Sequence, residues 1–321
     1  MKRHILALSG GVGGAKLATG LAAVLPPGDL TVVVNTGDDF EHLGLTICPD
    51  LDSVTYAMAG LNDTDRGWGV AGETWQAMAM LRELGEADWF NLGDRDLGMH
   101  IARSWRLRAG EMLSQVTARL TRELGIAHAI VPMSDTPVRT QIVSEEGVLD
   151  FQHYFVREQC RPVARAIRFE GVPGAAPSPG FAGALARPDL AAVIVCPSNP
   201  YLSVDPILAV DGVRAALQAL AVPIIVVSPL VGGKALKGPL SKLLRELGEE
   251  ARNLAIGHHY KELASHVIID KADASDAEGL RALGLSVTIT ATVMCDADDR
   301  ERLARVALSA ARIEQEDNGT R

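Results

Sequence analysis

Ile5-Leu6-Ala7-Leu8 is a short apolar run near the start of the chain, and Ser9-Gly10-Gly11-Val12-Gly13-Gly14-Ala15-Lys16 follows it directly. The apolar run has the composition of a buried parallel strand, and glycines let the backbone after it turn sharply. The glycine spacing differs from the P-loop and from GxGxxG, and Lys16 is not followed by Ser or Thr. The stretch predicts a strand, a tight turn and a helix whose first amides suit a phosphate, or alternatively a turn without a ligand.

The same alternation of apolar run and helical periodicity continues along the chain. Strands that alternate with helices form right-handed crossovers, so the pattern predicts an α/β fold with a mostly parallel sheet covered by helices on both faces. The predicted strands are Ile5–Leu8, Leu30–Val34, Ala129–Val131, Ala192–Cys196, Ile224–Ser228, Val267–Ile269 and Ser286–Ile289.

One region interrupts this alternation. Arg139–Arg168 favours extended segments, and Gly171–Gly183 is rich in Gly, Pro, Ala and Ser. We therefore predict a small inserted subdomain at 139–187 within a catalytic core formed by 1–138 and 188–312. The polar end of the chain, 313–321, is predicted to be a flexible tail.

Composition excludes several classes of protein. The chain has 321 residues with a formal net charge of −9, which argues against a general nucleic-acid binder. Its four cysteines form no CxxC pair, so a zinc site or a disulfide framework is not expected. No apolar stretch approaches the ~20 residues that span a bilayer. We expect a cytoplasmic protein that binds neither membranes nor nucleic acid.

Polar loops follow five of the predicted strands, at the edge where the carboxyl ends of parallel strands meet. One of these loops, Asn35-Thr36-Gly37-Asp38-Asp39 after the second strand, is acidic. A second acidic cluster, Pro49-Asp50-Leu51-Asp52, comes soon after it at the start of a predicted helix. Carboxylates near a phosphate loop suit Mg²⁺ and a general base. We predict Asp38, Asp39 and Asp50 as metal ligands and Asp50 or Asp52 as the catalytic base. The alternatives are a helix cap for Asp50 or Asp52 and a solvated turn for Asp38-Asp39.

Taken together in chain order, the motifs resemble those of the 2-phospho-L-lactate transferase family of coenzyme F420 biosynthesis, the CofD family. The resemblance covers Ser9 to about Arg312, and the ordered set is more specific than any one motif. The motifs are Ser9–Lys16, Asn35–Asp39, Pro49–Asp52, Leu92–Asp96, Pro132–Asp135 and Pro197–Pro200.

The resemblance implies a Rossmann-like fold and a reaction that requires Mg²⁺. A phospho-three-carbon-acid group, 2-phospholactyl or phosphoenolpyruvyl, would move from a guanosine-diphosphate-linked donor to the ribityl hydroxyl of the deazaflavin Fo, with release of GMP. It also implies a homodimer. By motif, deazaflavin contacts are expected at Asp52, Asn91 and Arg95. Nucleotide or phosphate contacts are expected at Gly10, Gly11, Gly13, Gly14, Lys16, Ser198 and Asn199.

Two aromatic residues and two competing functions complete the set of predictions. Trp68 and Trp75 are candidates to wall a slot for the flat deazaflavin ring, or else belong to the core. The first competing function is an NAD(P)-type dinucleotide-binding oxidoreductase, disfavoured by the missing GxGxxG. The second is a non-catalytic nucleotide-binding regulator that keeps the glycine loop without turnover.

Overall fold

A computed structural model describes residues 3–313 and places all seven predicted strands in one sheet. Strands are numbered β1–β14 and helices α1–α12 along the chain. The strands of the main sheet are β1 (His4–Ser9), β2 (Leu30–Val34), β5 (Ala129–Pro132), β9 (Leu190–Val195), β10 (Ile224–Val227), β13 (His266–Asp270) and β14 (Ser286–Thr290). Of the predicted tail 313–321, residues 314–321 lie outside the described part of the chain.

Helices connect these strands, which confirms the α/β class. They are α1 (Gly11–Val24), α2 (Pro49–Met58), α3 (Gln76–Glu83), α4 (Asp94–Arg108), α5 (Leu113–Glu123), α6 (Pro179–Leu185), α7 (Asp205–Ala209), α8 (Val213–Gln218), α9 (Leu240–Glu246), α10 (Asn253–Tyr260), α11 (Ala277–Ala282) and α12 (Ala297–Ala310). Two π-helical segments, His153–Arg157 and Pro200–Val204, and one 3₁₀ segment, Lys271–Asp276, complete the set.

The main sheet has the strand order β14-β13-β10-β9-β1-β2-β5, and every neighbouring pair is parallel. From β1 the chain first builds outward through β2 and β5. It then returns to the other side of β1 with β9 and builds outward in the opposite direction. The order therefore reverses between β1 and β9, and open parallel sheets bind ligands outside the carboxyl ends of the strands at such a point.

Alternation along the strands fills two separate cores, one on each face of the sheet. Leu6 and Leu8 of β1 pack in one core, which is covered by α6, α7, α8, α10 and α11. Ile5 and Ala7 pack in the other, which is covered by α1, α2 and α12. Both faces are apolar, which is why the strands read as continuous hydrophobic runs in the sequence.

Smaller sheets accompany the seven-stranded main sheet. A three-stranded antiparallel sheet, ordered β7-β6-β8, consists of β6 (Arg139–Ser144), β7 (Gly147–Asp150) and β8 (Ala164–Glu170). Two hairpins are β3 (Phe40–His42) with β4 (Leu45–Ile47), and β11 (Leu230–Val231) with β12 (Lys234–Ala235).

The inserted segment, 139–187, is attached to the core along much of its length. Helix α6, near its end, buries Phe181 and Ala184 in the core on one face of the main sheet. The exact domain boundaries stay a prediction. Across residues 3–313, every helix is too short or too polar to cross a lipid bilayer.

Candidate active site

The glycine loop after β1 meets the loop after β9 at the point where the strand order reverses. The Gly10 amide donates to Ser198 Oγ at 3.0 Å, and the Ser198 hydroxyl donates back to the Gly10 carbonyl at 2.8 Å. Asn199 caps the π-helical segment that follows, because its Oδ1 accepts from the amides of Tyr201 and Leu202. Ser198 and Asn199 therefore fix the walls of the site through backbone contacts.

The glycines of the loop serve different purposes. A Cβ on Gly10 would lie 2.5 Å from Asp50 Oδ2, and one on Gly13 would collide with the Pro197 carbonyl. One on Gly14 would lie 2.5 Å from Ser9 Oγ. Gly11 differs, because its φ of +64° favours glycine and a Cβ there would meet nothing within 4 Å. Close packing explains Gly10, Gly13 and Gly14, whereas Gly11 faces the open space where a ligand can approach.

Two buried carboxylates converge beside this loop. Asn35, which follows β2, donates from Nδ2 to Asp38 Oδ1 at 3.0 Å and to Asp50 Oδ2 at 2.9 Å. Asp50 Oδ1 accepts from the Gly11 amide at 2.6 Å. The Gly37 amide fixes the orientation of Asn35 by donating to its Oδ1 at 2.7 Å. One asparagine thus holds two carboxylates against each other at the start of α1; we call Asp38 and Asp50 the acidic pair.

The position of Asp50 in the sequence explains part of this arrangement. It is the second residue of α2, and Pro49 begins that helix with a backbone already suited to a first turn. A carboxylate in the first turn is favoured by the helix dipole. Yet its oxygens bind Gly11 and Asn35, so the predicted alternative of a simple cap does not describe its contacts.

At Asp38, burial and like charge outweigh the opposing charge of nearby Arg139. Burial, and then the neighbouring carboxylates of Asp50 and Asp39, hold the pKa of Asp38 well above its ordinary value. Burial raises the pKa of Asp50 to about 6 and that of Asp39 to about 7. Asp39 is buried as well, and its Oδ1 has no hydrogen-bond partner among the described residues. Burial and like charge are the environment that a divalent cation would relieve.

The donor set fits Mg²⁺ in part. Magnesium takes oxygen ligands, keeps several waters and is usually bound through one or two carboxylates together with substrate phosphates. Asp38 and Asp50 supply such a pair. Within residues 3–313, one group of three candidate ligands has all its ligand atoms within 4.8 Å of one another, and it consists of Asp52, Asp96 and His100. Asp39 therefore does not form such a three-ligand group with Asp38 and Asp50.

That second group is already occupied by protein cations and donors. Arg103 contacts both oxygens of Asp52, with Nη1 to Oδ2 at 3.1 Å and a closer contact from Nη2 to Oδ1. His100 lies 3.6 Å from Asp52 and 3.2 Å from Asp96, and the Tyr56 hydroxyl donates to Asp96 at 2.6 Å. We call these five residues the arginine network. A guanidinium bound to both oxygens of Asp52 competes with a metal ion, so the network is an ion-pair cluster.

Each of the predicted deazaflavin residues has a partner within the protein. Asp52 is buried in the arginine network. Asn91 and Arg95 are exposed near the start of α4. Asn91 Oδ1 accepts from Arg82 at 2.9 Å, and the Arg95 guanidinium binds the carbonyl of Ala71.

A small cleft of about 80 Å³, partly open to solvent, is lined by residues of α1 and α2. Three cations line it: Lys16, Lys237 and Arg300. Burial, and then the charges of Arg300 and Lys237, lower the pKa of Lys16, and Arg300 Nε is a buried donor without a partner in the described chain. Lys16 Nζ donates to the Met294 carbonyl at 2.7 Å. The lining also contains the carboxylate of Asp63, which pairs with Arg66, so its three cations outnumber its one acidic side chain.

Trp68 forms part of the cleft wall and is 43% exposed. The Arg66 guanidinium lies 5.0 Å from the Trp68 ring centre and 4.8 Å from that of Trp75. Trp75 is half-buried, and the two indoles meet edge to face at 6.1 Å. Trp68 thus presents a ring to the cleft, while Trp75 supports it from behind.

Comparison with known proteins decides the family. A family model described as 2-phospho-L-lactate transferase CofD matches residues 5–311. The chain belongs to the CofD family. It is therefore a transferase of coenzyme F420 biosynthesis, as predicted from the sequence.

Relatives within this family match nearly the whole chain. The chain is 39% identical to a phosphoenolpyruvate transferase of Kitasatospora aureofaciens, over 96% of this chain and 98% of the relative. It is 34% identical to a 2-phospho-L-lactate transferase of Methanosarcina mazei, over 95% and 100%. In structure, it resembles protein BH3568 of Bacillus halodurans, with a TM-score of 0.65, 14% identity and coverage of 96% and 100%. The last likeness supports the fold.

Several residues of this CofD-family site were not singled out from the sequence. Asn35 lies within a quoted motif, and its spacing three residues before Asp38 is a usable signal. Gln152, from the inserted segment, donates from Nε2 to Asp38 Oδ2 at 3.3 Å. Arg103, Lys237 and Arg300 lie far along the chain from the residues that they approach, and no local pattern marks them.

Proposed function

We propose that this transferase moves a phospho-three-carbon-acid group, phosphoenolpyruvyl or 2-phospholactyl, from a guanosine-diphosphate-linked donor to the ribityl hydroxyl of the deazaflavin Fo, releasing GMP. The observation that carries the proposal is the acidic pair held by Asn35 beside Gly11 in a chain of the CofD family. In this step the hydroxyl oxygen bonds to the phosphorus that bears the acid. The bridging P–O bond of the diphosphate breaks, GMP leaves, and the hydroxyl proton passes to a base.

Asp38 and Asp50 are the residues that would hold Mg²⁺, which supplies charge neutralisation for the diphosphate when bound. Asp39, whose pKa is raised to about 7 by burial, stays a predicted third ligand. Asp50 accepts from the Gly11 amide, and both of its predicted roles, metal ligand and proton acceptor, require the ionised form. Its raised pKa of about 6 lies closer to the range of an efficient general base than that of an ordinary aspartate.

The cation-lined cleft is the proposed place for the charged part of the donor. Lys16, Lys237 and Arg300 would offset phosphate charge, which explains why three like charges surround one space. Val12 lines the cleft and the adjacent Gly11 binds Asp50, so the first turn of α1 joins the cleft to the acidic pair. Trp68 offers a flat apolar surface at the same place. The deazaflavin contacts at Asn91 and Arg95 remain part of the proposal.

Product formation from defined substrates tests the reaction. Purified protein is incubated with Fo, Mg²⁺ and either the phosphoenolpyruvyl or the 2-phospholactyl donor, and GMP and the new deazaflavin phosphodiester are quantified by chromatography with mass detection. We expect GMP and the diester in equal amounts, and only when Fo and Mg²⁺ are both present. GMP release without Fo would indicate a hydrolase, and no GMP with either donor would contradict the proposal. A competition between the two donors identifies the acid.

We also propose that the protein is a homodimer and acts in the cytoplasm. Exposed apolar side chains on and after α4 support the first statement: Ile101, Trp105 and Met112. The unpaired state of all four cysteines suits a reducing compartment. Light scattering should give twice the chain mass of 34.1 kDa, and cell fractionation should recover the protein with the cytosol.

A further inference from the structure

Gln152 brings a second amide to the acidic pair, and it comes from the inserted segment. Its side chain is 5% exposed, and Nε2 donates to Asp38 Oδ2 at 3.3 Å. Asn35 Nδ2 donates to the other oxygen of Asp38 at 3.0 Å. Asp38 is therefore held by one amide on each oxygen, one from the core and one from the insertion, which are 117 residues apart (152 − 35).

The backbone around Gln152 is fixed by packing. Phe151 and Tyr154 are buried in a cluster that includes Leu202 and Leu243 of the core. Lys242 of α9 donates to the Tyr154 hydroxyl at 3.3 Å and to the Pro162 carbonyl at 2.9 Å. A π-helical segment begins at the next residue, His153, and such segments occur frequently at functional sites. The amide is thus presented to Asp38 from an anchored support.

A second contact joins the insertion to the same acidic turn. The Thr140 amide of β6 donates to the Gly37 carbonyl at 2.5 Å, and a Cβ on Gly37 would lie 2.6 Å from Thr140 Oγ1. The insertion therefore touches the turn on its backbone as well as on the Asp38 carboxylate.

The chemistry of the contact suits a metal ligand. A carboxylate has about four lone-pair positions, so one amide on each oxygen leaves room for a cation. An amide carries no charge, so it orients Asp38 without neutralising it. Arg103 has the opposite effect on Asp52, because it supplies a full positive charge to both oxygens.

We propose that Gln152 is a positioning residue of this transferase, which orients Asp38 for Mg²⁺ and so makes metal affinity depend on the inserted segment. The proposal rests on the proposed metal role of the acidic pair. Partners that orient metal ligands typically contribute about 10- to 100-fold in metal affinity. Gln152 itself touches neither substrate nor reacting atoms in this assignment.

The test compares Gln152→Leu with a matched control, Gln141→Ala. The leucine keeps much of the side-chain volume and removes only the amide. Gln141 lies on β6 of the same small sheet, and its amide donates to Glu170 at 2.7 Å on the surface, away from the acidic pair. The thermal unfolding midpoint is measured against Mg²⁺ concentration without substrate, and the KM for Mg²⁺ and kcat are then measured in the transferase assay.

We expect the Mg²⁺ concentration for half-maximal stabilisation, and the KM for Mg²⁺, to rise about 10- to 100-fold in Gln152→Leu. The kcat at saturating Mg²⁺ should stay near the wild-type value, and Gln141→Ala should match the wild type throughout. An unchanged Mg²⁺ midpoint in Gln152→Leu, or an equal shift in both variants, overturns the role of Gln152. If Gln152→Leu does not fold, Gln152→Asn withdraws the amide by one methylene, with the same expected shift. A wild-type protein that does not respond to Mg²⁺ would instead contradict the proposed metal role.

Discussion

The acidic pair and the arginine network each contain one carboxylate from the first turn of α2, Asp50 and Asp52. The two carboxylates differ in whether the protein supplies a positive charge to them. Asp50 and Asp38 receive hydrogen bonds from neutral amides. Burial raises the pKa of both carboxyls, and the neighbouring charge of Asp50 raises that of Asp38 further. Asp52, two residues after Asp50, receives a guanidinium on both oxygens. A buried charge that is compensated within the protein becomes destabilising once its partner is removed. Charge that is left uncompensated in a buried site is available for a ligand.

The largest expected effect is on turnover and concerns the acidic pair. Asp50→Asn should lower kcat about 10²- to 10⁴-fold, because both proposed roles need an ionised carboxylate. Its free energy of unfolding should change by only about 1–2 kcal/mol, since the loss of a hydrogen-bond acceptor is offset by relief of the repulsion from Asp38. Kinetics and urea unfolding measure the two quantities. Wild-type turnover at saturating Mg²⁺ would remove Asp50 from the mechanism. A raised KM for Mg²⁺ would indicate a ligand, and an unchanged one a base.

The arginine network should show the reverse pattern. Arg103→Met leaves Asp52 buried without its cation, and breaking a buried pair in this way typically costs about 3–5 kcal/mol. The control is Arg106→Met on the same helix, whose partly exposed pair with Glu111 should contribute about 0–1 kcal/mol. Urea unfolding of both variants measures the difference. Equal, small losses would mean that the network does not stabilise the fold.

Stability as a function of pH sharpens the comparison further. The folded-state pKa values of about 6 for Asp50 and about 7 for Asp39 lie above the ordinary value of 3.8. The folded protein therefore binds more protons than the unfolded chain in this range, so these groups lower stability as pH rises from 4 to about 7. Saturating Mg²⁺ should restore stability at pH 8, by about 2.7 kcal/mol at one hundred times its Kd, and much less at pH 5.

Thermal unfolding at both pH values with and without Mg²⁺ measures this effect. The double variant Asp38→Asn, Asp50→Asn serves as the control, because it lacks the pair and should lose most of the Mg²⁺ response. An equal Mg²⁺ effect at pH 5 and pH 8 in the wild type would contradict binding through these carboxylates.

The smallest effect is expected in the cleft. Lys16→Ala should raise the KM for the donor about 10-fold, since a charge-assisted contact contributes roughly 1.5–3 kcal/mol and Lys237 and Arg300 remain. Lys234→Ala, in the exposed hairpin outside the cleft, is the control and should leave the KM unchanged. Initial rates at varied donor concentration decide it. A rise in the KM for Fo instead would assign the cleft to the acceptor.

Much of the fold was predictable because its strands are buried on both sides, and an apolar run bounded by polar loops marks such a strand. Helix α4 carries little signal in the sequence. Its inward face carries His100, Arg103 and Ser104 rather than aliphatic residues, so apolar periodicity gives no signal. Since α4 supplies the partner of Asp52, the sequence alone gives no sign that Arg103 binds both oxygens of Asp52.

The site was predictable to the same extent. The loops at the carboxyl ends of β1, β2 and β9 do meet, as the parallel sheet requires. The contacts of the backbone amides were not predictable. The Gly10 amide donates to Ser198 and the Gly11 amide donates to Asp50, so neither amide is left unpaired for a phosphate. Gln152 lies 114 residues from its partner Asp38, and no spacing rule extends over such a distance.

The contact between Gly10 and Ser198 joins residues 188 positions apart. A ribosome must therefore complete more than half of the polypeptide before the first glycine loop can receive its neighbour. Neither half of the chain is expected to work as a separate module, and a nascent fragment ending before Ser198 should be inactive however well its early strands have formed. Long-range closure of this kind also favours slow folding, so assembly of the catalytic centre should be among the last events of maturation.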